Sequence, residues 1–287
     1  MQSILVATDF SERSNCAVRR ASLLAKAAKC RLVLLHVVDD DRPSRLQEIE
    51  QQAALLLLQE TAARILEDEG IQAEPLVREG APFATVTDTA SEVGADLIAV
   101  GTPRRQLLQD VFIGTTAERI MRQSAVPVLM VSKEPAAAYH HMLAAVDLSE
   151  ASARAARTAV KLGLDRHMAV SLLYLFDAEA TGLMIRSATP MAEIRKYQDQ
   201  EAAKAGDALE SFLKKTGLAS VNPVVRQIDA PVAQLICATA EELKADLIVV
   251  GTQGKSGVPR LLLGSVAEGV LRTAKQDVLA VPAVRPG

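Results

Sequence analysis

A glycine-containing segment in the last quarter of the chain has the composition of a phosphate-binding loop. Gly251, Gly254 and Gly264-Ser265 give the spacing G-x2-G-x9-G-S. A phosphate chain needs backbone N–H groups at close range, and glycine permits that approach because it has no Cβ atom. Gly264-Ser265 opens a stretch with helical spacing, and the free N–H groups of a helix N-terminus favour an anion. The segment therefore predicts a phosphorylated ligand, with one further hydrogen bond from the Ser265 hydroxyl.

Two better-known phosphate motifs do not fit this segment. Gly254-Lys255-Ser256 looks like the end of a Walker A loop, but Val249 stands where that motif requires its first glycine. The dinucleotide fingerprint G-x-G-x-x-G needs glycines two positions apart, whereas Gly251 and Gly254 are three apart. Lys255 either neutralises a phosphate or is a solvated loop lysine, and both interpretations stay open.

The loop belongs to a sequence that occurs twice. Ile4–Glu12 matches Met142–Glu150, and Ala95–Thr102 matches Ala245–Thr252, in the same order along the chain. Asp147 therefore has a counterpart in Asp9, and each aspartate directly follows a short apolar run. Such an aspartate is either a ligand contact or a plain turn residue. The second copy is about a dozen residues longer, mostly around positions 178–189.

Each copy alternates short runs rich in Val, Ile and Leu with longer stretches of helical spacing. Apolar runs without polar alternation are typical of parallel strands covered by helices on both faces, and the alternation predicts a doubly wound α/β domain. We expect one domain over 1–134 and a second over 140–285. The segment Ser132–His141, which contains Pro135, would be the linker. Ligands of open parallel sheets bind beyond the carboxyl ends of the strands, where the strand order reverses. Asp147 and the glycine loop are expected to meet there.

Composition removes several classes of function. The chain has 287 residues, of which 32 are Lys or Arg and 35 are Asp or Glu, so it carries no basic excess for nucleic acid or for a membrane surface. No apolar run approaches the ~20 residues that span a bilayer, and residues 1–8 read as a strand and not as a signal peptide. Three unpatterned cysteines suggest neither a metal site nor disulfides. We expect a cytoplasmic protein.

The order strand-Asp-[Phe/Leu]-Ser, then G-x2-G-x9-G-[Ser/Thr], then Pro-Val-Leu resembles the universal stress protein family. The resemblance covers nearly the whole chain twice, as in a tandem member. It implies Rossmann-like, adenine nucleotide hydrolase-like domains, each with a five-stranded parallel sheet in the order 3-2-1-4-5. It also implies ATP as the ligand, with or without Mg2+. The contacts that the resemblance implies in the second half are Ala145, Val146, Asp147, Leu175, Val250, Gly251, Gly254, Lys255, Gly264, Ser265 and Val266.

The first half departs from this pattern at one position. Gly101-Thr-Pro-Arg104 puts an arginine where the second glycine belongs. That side chain would either crowd the phosphates or contact them through its guanidinium group. We therefore expect a degenerate site in the first half. Its counterpart residues are Asp9, Val37, Gly101, Arg104, Gly114 and Thr115.

The last strand of each half would be an exposed apolar edge unless another strand covers it. The resemblance implies pairing of last strands, which a tandem chain can achieve as an intramolecular pseudo-dimer, while a homodimer remains an alternative. The leading functional hypothesis is a stress-response protein with ATP as a regulatory ligand of the second half and at most slow hydrolysis. The alternatives are a genuine ATPase and a nucleotide-independent interaction or small-ligand-binding protein.

Overall fold

The computed structural model describes residues 1–41, 43–103, 115–164, 168–218, 221–253 and 263–283. Both halves alternate strands and helices, as the sequence predicts. The elements of the first half are β1 (Ser3–Ala7), α1 (Glu12–Ala28), β2 (Arg31–Val38), α2 (Ser44–Glu69), β3 (Ala73–Glu79), α3 (Pro82–Glu92), β4 (Leu97–Gly101), α4 (Thr116–Gln123) and β5 (Val128–Val131). Those of the second half are β6 (His141–Val146), α5 (Glu150–Lys161), β7 (Ala169–Phe176), α6 (Thr181–Arg186), α7 (Met191–Thr216), β8 (Asn222–Gln227), α8 (Val232–Glu242), β9 (Leu247–Gly251), α9 (Ser265–Thr273) and β10 (Asp277–Val281).

Helix α6 is the main difference between the halves. It has no counterpart among the described residues of the first half and lies within the extra residues of the second copy. Its six residues include none that is buried, and Leu183 and Ile185 are exposed. The insertion therefore adds a short surface helix between β7 and α7 and leaves the sheet unchanged.

Local sequence explains where the long helices begin and end. Ser11 and Ser149 are the N-caps of α1 and α5, and each side chain accepts a hydrogen bond from the amide three residues on. The long helices α2 and α7 both end at a glycine, Gly70 and Gly217, with φ of 70° and 73°. Glycine is favoured at such left-handed C-caps because it has no Cβ atom to clash with the backbone.

The ten strands form one continuous sheet in the order β3-β2-β1-β4-β5-β10-β9-β6-β7-β8. Each half thus has the predicted 3-2-1-4-5 order, and all pairs within a half are parallel. The halves join through β5 and β10, which pair antiparallel with Leu129 opposite Leu279. The two last strands therefore cover each other's edges within one chain.

The core consists of two apolar layers, one on each face of the sheet. The strands beside the junction are buried along their whole length; Leu129, Leu279 and Val278 are all 0% exposed. This explains why their sequences show no polar alternation. No helix of the described residues is long and apolar enough to cross a membrane.

A buried charged cluster fastens the linker to the junction. Asp277, at the start of β10, accepts hydrogen bonds from Arg20 Nε at 3.1 Å, Tyr139 Oη at 2.7 Å and the Ser132 amide at 2.9 Å. The Arg20 guanidinium also lies 3.9 Å from the centroid of the Tyr139 ring. Burial raises the pKa of Asp277, and these hydrogen bonds together with the Arg20 charge oppose that rise. The cluster therefore ties helix α1 of the first half to the last strand of the second.

Candidate functional site

The two aspartates at matching positions of the repeat, Asp9 and Asp147, form the same kind of turn. Asp147 Oδ1 accepts hydrogen bonds from the amide of Ser149 at 3.0 Å and from its hydroxyl at 2.5 Å. Asp9 Oδ1 does the same with Ser11, at 3.1 and 2.5 Å. An aspartate that bonds to the backbone two residues on forms a local turn of its own. The turn role that the sequence left open for these aspartates is thus present in both halves, at the carboxyl ends of β1 and β6.

The residue between each aspartate and serine has a left-handed backbone. Phe10 has φ of 60° and Leu148 has φ of 61°. A bulky residue seldom adopts this conformation, and such strain persists only where the surroundings fix it. The Phe10 ring stacks on His36, with centroids 4.6 Å apart. This left-handed position was not predicted from the sequence, although the repeated Asp-[Phe/Leu]-Ser pattern is its signal.

The Asp9 carboxylate is held in its charged form. Partial burial raises its pKa, but the Ser11 and Ser14 hydroxyls and the backbone amides of the turn outweigh that effect, so the pKa of Asp9 lies below its ordinary 3.8. The turn is therefore intact, with Asp9 ionised, at neutral pH.

A cleft of about 760 Å³ opens at the carboxyl edge of the first half. Four of the residues predicted for the degenerate site line it: Asp9, Val37, Gly101 and Thr115. The other two, Arg104 and Gly114, lie outside the described residues. The structure therefore brings together the described part of the predicted first-half site.

Gly101 is required by packing. A Cβ atom on Gly101 would lie 2.5 Å from the carbonyl oxygen of Arg13 and 2.8 Å from the amide nitrogen of Ser14, both in the first turn of α1. Helix α1 thus approaches the end of β4 too closely for any side chain. The counterpart Gly251 is less confined, because its nearest contact would be 3.3 Å, to the Gln253 carbonyl.

In the second half the same edge collects the ends of β6, β7 and β9. Strand β6 pairs with both neighbours, so that Asp147 follows β6 and Gly251 ends the adjacent strand β9. The Gly264 amide donates to the Thr252 carbonyl at 2.9 Å, which holds the start of α9 beside the end of β9. Gly254 and Lys255 lie outside the described residues.

The apolar residues predicted beside the second-half ligand differ in accessibility. The side chains of Val146 and Val250 are buried, in the two opposite core layers. Ala145 and Leu175 are only partly buried, and Val266 is 39% exposed. Val146 and Val250 can therefore offer a ligand only their main chain, whereas Leu175 and Val266 can offer side chains.

The helices whose N-termini lie at the two candidate sites, α4 and α9, begin differently. In the first half Thr115 is the N-cap of α4, and its side chain accepts a hydrogen bond from the Glu118 amide at 3.3 Å. In the second half the N-cap of α9 is Gly264, and Ser265 is already the first helical residue. Glycine has no side chain with which to cap, so the first N–H groups of α9 receive no cap from this position. The second half thus keeps a helix N-terminus that can accept an anion.

Comparison with known proteins matches both halves. The model of the universal stress protein family fits residues 1–132 and again residues 138–282. A universal stress protein of Methanocaldococcus jannaschii is 33% identical over 145 residues, which is 50% of this chain and 82% of that protein. One from Mycobacterium tuberculosis is 25% identical over 292 residues, which is 96% of this chain and 95% of the relative. The crystal structure of a universal stress protein from Archaeoglobus fulgidus has a TM-score of 0.73 at 20% identity and covers 98% of both chains.

Proposed function

This chain belongs to the universal stress protein family, as a tandem member, and from that premise we propose that its second half binds an adenine nucleotide as a regulatory ligand. ATP is the proposed nucleotide, with or without Mg2+, and hydrolysis is at most slow. We assign this activity to a domain over 140–285 and a degenerate site to a domain over 1–134. The protein would act in the stress response of the cytoplasm.

The N-terminus of α9, where Gly264 supplies no side-chain cap, is the observation that carries this proposal. A helix N-terminus attracts anions through its free N–H groups and its dipole. In the first half the Thr115 side chain occupies this role, whereas the second half has only Gly264 there. The residues present thus fit a phosphate chain in the second half better than in the first.

The proposed contacts follow from the positions of the described residues. The amides at the start of α9 and the Ser265 hydroxyl would hold phosphate oxygens. Asp147, at the end of β6, would contact the ribose or the adenine side of the nucleotide, and the partly buried Leu175 would pack against the adenine ring. Gly254 and Lys255 complete the proposed site from sequence alone. When bound, the nucleotide would supply the charge and bulk that distinguish a loaded state from an empty one.

A nucleotide-independent role is favoured for the first half alone. Its cleft of about 760 Å³ is lined by Asp9 and by a helix start that Thr115 already caps. A capped helix start has less to offer a polyanion, so this cleft is proposed to take a different ligand or none.

One experiment tests the proposal. Freshly purified protein is denatured and the released nucleotide identified, and ATP binding to the emptied protein is then measured by calorimetry. We expect about one ATP per chain, and loss of binding in Gly264→Val and Gly254→Val. Gly206→Ala is the matched control, because a Cβ atom at Gly206, within α7, would meet nothing within 4 Å. Equal binding by both halves, or an undiminished affinity in Gly264→Val, would contradict the proposal.

A further inference from the structure

A second cavity lies at the seam between the two halves. It measures about 400 Å³ and is found where the end of β5 meets the start of β10. Three cationic side chains line it, one from each adjoining segment: Arg13 from the first turn of α1, Lys133 after β5, and Lys275 before β10. Thr102 and Pro103 form its wall toward the first-half cleft.

Two carboxylates near this seam cavity are engaged elsewhere, and a third pairs with one of the cavity's own lysines. Glu134 follows Lys133 in the chain but pairs with Arg19, and Asp277 is buried behind Ser132 and held by Arg20. Glu241 pairs with Lys275 at 3.0 Å, in a salt bridge whose side chains are 49% and 64% exposed and which solvent therefore screens. Among the described residues that line the cavity there is no acidic side chain. The lining therefore has a positive charge.

The repeat creates two equivalent positions beside the β5–β10 pair, and the three cationic side chains occur at only one of them. The halves are related by the repeat, so a matching cavity would lie at the opposite end of the β5–β10 pair. There the positions of Arg13, Lys133 and Lys275 are taken by Ala151, Ala283 and Ala125. If the fold itself required cationic residues here, they would be expected at both positions. The seam cavity has three cationic residues where the equivalent position has three alanines. This difference indicates that the seam cavity binds a ligand of negative charge.

The seam cavity adjoins the first-half cleft. Arg13, Thr102 and Pro103 line both. The Arg13 Nε donates to the Thr102 carbonyl at 3.1 Å, which fixes the guanidinium at the boundary between the two spaces. A guanidinium fork suits phosphate oxygens, and lysine ammonium groups add charge.

From these observations we propose that the seam cavity binds a phosphate oxyanion through Arg13, Lys133 and Lys275. The site is separate from the nucleotide site proposed for the second half and does not depend on it. The phosphate is either free in solution or the end group of a small molecule whose uncharged part occupies the first-half cleft. The chemistry at the seam is the same in both cases.

Calorimetry of the full-length protein with inorganic phosphate at low ionic strength tests the proposal. We expect each of Lys133→Ala and Lys275→Ala to weaken binding about tenfold, as expected for the loss of one nearby charge. Both lysines are exposed, so neither change should disturb folding. Lys215→Ala, an exposed lysine on α7, is the matched control and should bind like the parent. Equal weakening by the control, or no weakening by either seam variant, would overturn the proposal.

Two further arms sharpen the result. The variant Ala125→Lys/Ala151→Arg/Ala283→Lys should raise the stoichiometry from one phosphate to two, and an unchanged stoichiometry would count against the assignment. Gly264→Val should keep phosphate binding, which separates this site from the nucleotide site. Ribose 5-phosphate compared with inorganic phosphate identifies the source: at least tenfold tighter binding of the ester supports a ligand that also fills the cleft, and equal binding supports free phosphate.

Discussion

At the scale of single residues, the turns formed by Asp9 and Asp147 have the same geometry, but the two aspartates are proposed to have different roles. Each aspartate accepts two hydrogen bonds from the serine two positions on, at nearly equal distances in the two halves. In this way each carboxylate supports a left-handed residue, Phe10 or Leu148, at the end of a central strand. The structural duty is shared, and only Asp147 is proposed to contact a nucleotide.

The first prediction distinguishes the structural role of these aspartates from the proposed ligand contact of Asp147. Asp147→Ala and Asp9→Ala each remove the acceptor of the turn, and each should lower the free energy of unfolding by about 1–2 kcal/mol. Only Asp147→Ala should also abolish or strongly weaken ATP binding. Urea unfolding and calorimetry of both variants provide the measurements. Equal ATP affinities in the two variants would leave Asp147 with a turn role only.

At the scale of elements, the cluster around Asp277 fixes how α1, the linker and β10 meet. Arg20 and Asp277 are almost fully buried, with 7% and 4% exposure. Removing one partner of a buried ion pair costs about 3–5 kcal/mol because the other charge stays buried without compensation. The cluster has no counterpart at the other end of the repeat, where Thr158 and Pro127 stand in place of Arg20 and Asp277.

The second prediction follows from the raised pKa of Asp277. A carboxyl group whose pKa is raised by folding stabilises the fold at low pH and loses that contribution as the pH rises through the folded-state value. Arg20→Met removes a contribution that lowers this pKa. We expect it to destabilise the protein by about 3–5 kcal/mol at pH 7.5 and by less at pH 5, because protonation of Asp277 relieves the uncompensated charge as the pH falls. Urea unfolding at the two pH values measures the difference.

The double variant Arg20→Met/Asp277→Asn is the control for this prediction. It contains no buried charge at the cluster, so its stability relative to the parent should change little between pH 5 and pH 7.5. A loss in Arg20→Met that is the same at both pH values would show that packing of the arginine, and not its charge, stabilises the junction.

Most elements were predictable from the sequence because short apolar runs and capping serines occur in pairs. Ser11 and Ser149 cap helices as expected, and Pro82 begins α3. The start of α9 was harder to predict. Gly114-Thr115 and Gly264-Ser265 align in sequence, yet Thr115 is an N-cap and Ser265 the first helical residue. Such a shift of one residue depends on local packing, which periodicity does not reveal.

The candidate site was predictable in part. Sequence spacing identified four of the residues that line the first-half cleft, since each lies at or just after the end of a strand, or directly before a helix, at one edge of the sheet. It assigned Gly101 to ligand approach, whereas the structure shows that α1 also excludes a Cβ atom there. The role of Arg13 was not predicted, because its relation to Lys133 and Lys275 exists only once the sheet is assembled.

At the scale of the whole molecule, the halves share one sheet and parts of both core layers. Leu279 of β10 packs without exposure and pairs with Leu129 of β5. Damage at this junction is therefore expected to affect both halves, whereas damage at an outer strand should stay local.

The third prediction tests this coupling. Leu279→Ala should cost about 2–5 kcal/mol, as is typical for a buried leucine, and should speed amide hydrogen exchange in β1 and β4 as well as in β9. Val224→Ala, in the outer strand β8, is the control and should speed exchange in the second half alone. If Leu279→Ala left exchange in β1 and β4 unchanged, the halves would be shown to open independently.

The antiparallel pairing of β5 with β10 also fixes the direction in which each half faces. Strands of the first half run toward one rim of the sheet, and those of the second half run toward the other. The carboxyl ends of the central strands consequently lie at opposite rims of the sheet in the two halves, and no single small ligand can touch both proposed sites. The two halves therefore cannot close around one shared ligand. Coupling between ligands of the two halves would have to pass through the structure that they share, namely the β5–β10 pair, the common core layers and the Arg20–Asp277 cluster.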